Sequence, residues 1–189
     1  MTAFELHIPE TAGWRALVTR AEVSSRICLD DGLENYLIYL LLRHVGAPTT
    51  AYDGLAGGFL ANLTQGPGGG DEQDLAEVGD QCLVFSGLFP EQAAAQMIPI
   101  SYFVKVGQDA YLKHARVSGE ALYRRVSEAF VPLMDVLQCM RDLDKSVYCL
   151  DALSAFEQWQ NTGSAHALHV LQAITPGVPA TMYVSDTVN

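Results

Sequence analysis

Asp30-Asp31-Gly32-Leu33-Glu34-Asn35-Tyr36-Leu37-Ile38-Tyr39-Leu40-Leu41-Leu42-Arg43-His44-Val45 carries the clearest helical pattern in the chain. Leu33, Tyr36, Leu37, Leu40, Leu41 and His44/Val45 recur at the i, i+3, i+4, i+7 spacing of one helix face. Asp30 and Asp31 are residue types that accept hydrogen bonds from first-turn N–H groups, and Gly46 and Pro48 stop a helix. The pattern predicts a helix over 31–45. Its longest strongly apolar run, Tyr36–Leu42, is far short of the roughly 20 residues that a membrane span needs, so it reads as a core helix.

Upstream, Phe4, Leu6 and Ile8 alternate with Glu5 and His7, which predicts a short extended N-terminal arm ended by Pro9. Residues 10–27 read as a weak helix with Trp14, Leu17, Val18 and Ala21 on one face. Downstream, a short helix is expected over Leu55–Thr64, weakened by Gly57-Gly58, since an interior glycine costs roughly 1 kcal/mol relative to alanine. Gly66-Pro67-Gly68-Gly69-Gly70 reads as a flexible linker. The helix at 72–88 carries Leu75, Val78, Cys82 and Phe85, with the small residues Gly79 and Ser86 on the same face. Pro90–Met97 reads as a short helix. Ser101 is expected to cap a helix to Arg116, with Phe103, Val106/Gly107, Ala110, Tyr111 and His114 inward. Ser118 is expected to open the longest helix, to Leu143, kinked near Glu128–Pro132 because proline removes one backbone bond and crowds the preceding turn. Two more helices, 150–160 and 164–174, flank Thr162-Gly163.

Six to eight helices with short connections predict an all-α, single-domain helical bundle over residues 1–175, built on the helices at 31–45, 72–88, 101–116 and 118–143. Gly79, Gly87 and Gly107 are expected at close helix crossings, and 176–189 as a flexible C-terminal tail.

Composition narrows the function classes. The 189 residues are 49% apolar and 17% charged, with a formal charge of −11. That balance argues against nucleic acid, whose phosphates need many Lys and Arg, and against an anionic membrane surface. Charge is segregated: residues 27–104 hold ten acids and one base, Arg43, whereas 105–125 hold Lys105, Lys113, Arg116, Arg124 and Arg125 against Asp109 and Glu120. Two solvated faces explain this simply; a local basic patch that meets an acidic surface or a small anion is the sharper reading. Met1–Glu5 lacks a basic start and a long apolar run, so no secretory signal is expected, and Asn62-Leu63-Thr64 is then an idle glycosylation match. The expectation is a cytoplasmic protein whose four cysteines (Cys28, Cys82, Cys139, Cys149) are reduced, buried thiols.

Familiar catalytic patterns fail one by one. No histidine follows a glutamate by three residues, as a di-iron bundle requires. His166 and His169 form the only H-x-x-H pair; with Leu168, Leu171 and Ile174 taken as the buried side, both fall outward, and no metal is expected. The glycine loop has no lysine and is followed by acids, the wrong charge for a phosphate cradle. Ser86 lacks the upstream glycine of a nucleophile elbow. No cofactor is implied.

One cluster is less bland. Tyr111 and His114 share the inward face of their helix, Gln108 is near its edge, Tyr102 lies in its first turn, and Tyr123 follows in the next helix. Buried tyrosine and histidine need hydrogen-bond partners, which Asp80 or Glu91 can supply. The cluster reads either as a satisfied polar core or as the lining of a pocket where the 79–91 segment meets the helix at 102–114.

Val78-Gly79-Asp80-Gln81-Cys82-Leu83-Val84-Phe85-Ser86-Gly87-Leu88-Phe89-Pro90-Glu91 and Tyr102-Phe103-Val104-Lys105-Val106-Gly107-Gln108-Asp109-Ala110-Tyr111 resemble segments of an uncharacterised bacterial family of small helical cytosolic proteins. The resemblance implies a helical fold and a bacterial cytosolic origin and points to Asp80, Glu91, Tyr102 and Tyr111, but it implies no reaction. The leading expectation is a non-enzymatic protein acting by self-association, as a homo-oligomer, or by binding a protein partner. The alternative is a small-molecule binder or enzyme with an inter-helix pocket around Tyr102, Tyr111 and His114.

Overall fold

Asp30 starts the decisive helix as its sequence requires: its carboxylate accepts from Gly32 N at 2.9 Å and Leu33 N at 3.2 Å, and the helix runs Asp31–Val45. A computed structural model describes this and the rest of residues 8–45, 72–95, 97–143, 145 and 147–175. Among the described residues the chain is all-α, with nine helices. They are α1 (Ile8–Ser25), α2 (Asp31–Val45), α3 (Glu72–Leu88), α4 (Pro90–Ala95), α5 (Ile100–Ser118), α6 (Ala121–Glu128), α7 (Phe130–Asp142), α8 (Ala152–Thr162) and α9 (Ala165–Ile174). The expected helix at 55–64, the glycine linker and the tail from 176 lie outside the described residues, as do Phe4 to His7 of the expected arm; Ile8 and Pro9 begin α1 instead.

α3 is the hub. It packs along α5 and α7, α1 lies on α7 and α2, and α2 reaches α3 and α6. α8 and α9 pair with each other and rest on α5 and α7. The main core includes Leu37, Leu41, Leu83, Phe103, Phe130, Leu133 and Leu137, and a smaller cluster gathers Leu150, Ala155, Ala167, Val170 and Leu171.

Small residues set the close crossings at α3. A methyl group added at Gly79 would lie 2.5 Å from the Tyr111 ring, and one at Gly87 would lie 2.6 Å from Leu137. At Gly107 it would run into the Phe130 ring and sit 2.9 Å from Cys82 Cβ. All three glycines therefore stand where a neighbouring side chain lies directly on a helix backbone.

Four expectations need correction. Ser118 closes α5 rather than opening the next helix, because Gly119 takes the left-handed conformation (φ 74°) and its N–H bonds Ala115 O. Ser101 does not cap α5; Pro99 stands at the N-cap with no side-chain bond. The expected kink is a division: Ala129 (φ −93°, ψ 12°) separates α6 from α7, three residues before Pro132. Finally, His166 is buried, at 4% exposure, while His169 is exposed. The buried side of α9 is Ala167, Val170 and Leu171, so the helix is rotated from the expected Leu168–Ile174 stripe, and Asp142 meets His166 Nε2 at 3.2 Å.

Candidate functional site

Three helices bring their polar side chains to one point. Asp80 of α3 is 6% exposed, and its Oδ1 accepts from Tyr36 OH of α2 and from Tyr111 OH of α5, the latter at 2.8 Å. Its Oδ2 takes Arg43 Nη1 of α2 at 3.3 Å. The other end of that guanidinium bonds Glu77, one turn before Asp80 on α3, and Gln81 Nε2 donates to the same carboxylate at 3.0 Å. Sequence explains the convergence: Tyr36 and Arg43 are two turns apart on one face of α2, and Glu77 and Asp80 are one turn apart on α3. Gly79 is the residue that lets the Tyr111 ring lie against α3 and reach Asp80.

The rings of Tyr36, Tyr111 and Tyr123 form a triangle with 6.1 Å between the centroids of each pair, and His114 meets Tyr123 edge-on at 4.3 Å. Burial holds the Asp80 carboxyl above the usual carboxylate range, against the pull of both phenols, His44 and Arg43. Burial, reinforced by Asp80's charge, pushes the Tyr36 and Tyr111 phenols far up, so both remain donors. His44, the residue after Arg43, is pushed down by burial and is a neutral imidazole at pH 7.

Beside this centre an open cleft of about 480 Å³ lies between α2 and α6. Tyr36, Tyr39, Leu40 and Arg43 form one wall, Leu122 and Tyr123 the other, and Asp80 is part of the lining. Gly32 and Asn35 line the cleft too; next to Gly32, Arg125 of α6 bonds Asp30 across the helix junction. The basic 105–125 stretch thus meets the acidic 27–104 stretch at this pair.

The six residues singled out from sequence separate. Asp80 lines the cleft, and Tyr111 and His114 stand behind it among the tyrosine rings. Gln108 turns to α6, donating to Ser127 O at 3.3 Å. Glu91 lies elsewhere, in a two-point pair with Arg141 at 2.6 and 2.9 Å. Tyr102 is 43% exposed and packs edge-on against Phe103. The cleft opens between α2 and α6 rather than where 79–91 meets 102–114. Sequence reading placed Tyr36 in an apolar stripe and passed over Arg43 and Glu77. The available signal was Arg43 itself, the single base among ten acids over 27–104.

A second polar centre is structural. Asp135, 1% exposed on α7, accepts from Ser164 Oγ at 2.5 Å, Ala165 N at 2.8 Å and His166 N at 3.3 Å, and so holds the first turn of α9. Gln138 and Gln158 exchange amide bonds at 3.2 and 2.9 Å beside it. Burial pushes the Cys82 thiol to about 12, Cys139 to about 11 and Cys149 to about 12. Cys28, expected buried, is exposed. Ser86 donates to Cys82 O at 2.8 Å inside the core, as a packing residue does.

No described helix is long and apolar enough to cross a membrane. No protein-family model, curated protein or solved structure matches the chain.

Proposed function

We propose that the protein is a small-molecule binder whose site is the cleft between α2 and α6. The observation that carries this is the cleft's combination of volume and lining. About 480 Å³ falls within the roughly 300–1,000 Å³ of ordinary ligand sites. Tyrosine faces and edges supply apolar contact, while Asp80, Arg43 and Asn35 supply a few fixed polar groups. Such a lining suits a small planar molecule that stacks on Tyr39 or Tyr123 and carries a polar group toward Asp80 and Arg43. The polar groups are already held in place: Asp80 by two phenols and Arg43 by two carboxylates. A ligand entering this cleft meets donors and acceptors that need little ordering.

A thermal-shift screen of planar polar compounds tests the reading. Binding to the folded state alone raises Tm by mass action. Hits should stabilise the wild type and lose that effect in Tyr123→Ala and Tyr39→Ala. Hits that stabilise both variants as well as the wild type would place binding elsewhere and remove the support.

A second reading, self-association without a ligand, is favoured by Leu153 (75% exposed) and Phe156, one turn apart on the outer side of α8. A second copy of the chain is the partner this face would take. Light scattering over micromolar concentrations, on the wild type and on Leu153→Glu, tests it: a monomer throughout counts against it.

A further inference from the structure

We propose that His44, Glu77 and Asp80 form a binding site for one divalent transition-metal ion, with Zn²⁺ as the simplest probe. Each of the three offers a ligand atom, and those atoms lie within 4.8 Å of one another. Ligands around a tetrahedral ion at bonds of about 2.0–2.2 Å stand roughly 3.4 Å apart, so the three need close in by at most about 1.4 Å. Glu77 supplies that movement, since its side chain is 31% exposed and flexible, whereas Asp80 is fixed.

The surroundings fit a metal. One imidazole with two carboxylates is a nitrogen–oxygen donor set that suits first-row divalent ions better than Ca²⁺ or Mg²⁺, which prefer oxygen alone. The two phenols that donate to Asp80 Oδ1 orient the carboxylate and leave Oδ2 to Arg43, the role outer groups play around metal ligands.

Arg43 is the counter-argument and also the means of testing it. Its guanidinium bridges Asp80 and Glu77 and neutralises the same two carboxylates that a metal would use. Cation and guanidinium compete for one place. Arg43 is 61% exposed, so it can swing to solvent when a doubly charged ion replaces it. Three protein ligands leave a coordination position open for water. The metal site shares Asp80 and Arg43 with the cleft but needs no cleft ligand, because its three ligand atoms come from His44, Glu77 and Asp80.

Calorimetric titration of the chelator-treated full chain with ZnCl₂ is the test. One ion per chain is expected. His44→Ala and Glu77→Gln should each weaken binding by on the order of tenfold or more. Arg43→Ala should tighten it, His169→Ala should leave it unchanged, and Tyr123→Ala should leave it unchanged even where it abolishes cleft ligands. Circular dichroism checks each variant; should His44→Ala not fold, Glu77→Gln decides alone. No stoichiometric binding by the wild type, or binding that weakens in His169→Ala but not in Glu77→Gln, overturns the proposal, as does Arg43→Ala binding more weakly than the wild type.

Discussion

Tyr111→Phe isolates the bond on which the polar centre is built. The ring is fully buried and lies on Gly79, so phenylalanine keeps its packing and only the hydroxyl is lost. That hydroxyl donates to Asp80 Oδ1 at 2.8 Å. A hydrogen bond to a charged group is worth about 1.5–3 kcal/mol. Asp80 keeps Tyr36 and Arg43, so it is not left bare, and the lower part of that range applies, about 1.5–2 kcal/mol. Urea unfolding should show that loss as a lower midpoint with an unchanged slope, since the surface exposed on unfolding is the same. A double-mutant cycle with Asp80→Asn should give a coupling of about 1 kcal/mol or more. A Tyr111→Phe protein within about 0.3 kcal/mol of wild type, with no coupling, would show that the phenol–carboxylate pair contributes nothing net, and the account of the centre would fail.

Gly107→Ala places a methyl group against the Phe130 ring and Cys82 Cβ, and overpacking of this kind costs about 1–3 kcal/mol, beyond the roughly 1 kcal/mol that helix propensity returns; a lower Tm is expected, and an unchanged or higher one would contradict the crossing. Asp135 provides the pH prediction. Burial raises its folded pKa above 3.8, so the folded state holds the proton more tightly than the unfolded chain does. That contribution is fully present below 3.8 and is lost as pH rises through the folded value. The wild type should therefore lose stability relative to Asp135→Asn as pH is raised from about 4 toward neutral; an equal slope in the two proteins would contradict the assignment.

The fold was legible because its helices are long and periodic. The stripe of α2 and the crossings at Gly79, Gly87 and Gly107 follow from spacing and residue size, while of the two cap candidates, Asp30 and Asp31, Asp30 is the one that accepts the first-turn N–H bonds. Boundaries at Ser101 and Ser118 were misread because a serine before an apolar run looks like a cap whether or not its side chain reaches an N–H, and Gly119 was the stronger signal. His166 was misplaced because a helical wheel averages hydrophobicity. Ala167 is a weak apolar marker, and the wheel cannot register a buried carboxylate partner such as Asp142.

The candidate site was half legible. Asp80, Tyr111 and His114 were reached from the rule that buried polar groups need partners, and the structure joins the first two directly. Glu91 reads from sequence as a carboxylate partner for the buried tyrosine and histidine, but Arg141, fifty residues on, claims it. Tyr36, Arg43 and Glu77 escaped because each looks ordinary in its own helix. Their meaning arises only where α2 crosses α3, and no local pattern records which helices cross.

The proposed ligand site is the cleft between α2 and α6, with Asp80 in its lining. Amide chemical-shift mapping with a thermal-shift hit tests it most directly. Binding in the cleft should give saturable shifts concentrated at Asn35, Tyr36, Tyr39, Arg43, Leu122 and Tyr123, and these should be lost in Tyr123→Ala. Shifts confined to the other groove, between Ile98–Ser101 and Leu150–Asn161, or spread without saturation over the surface, would contradict it.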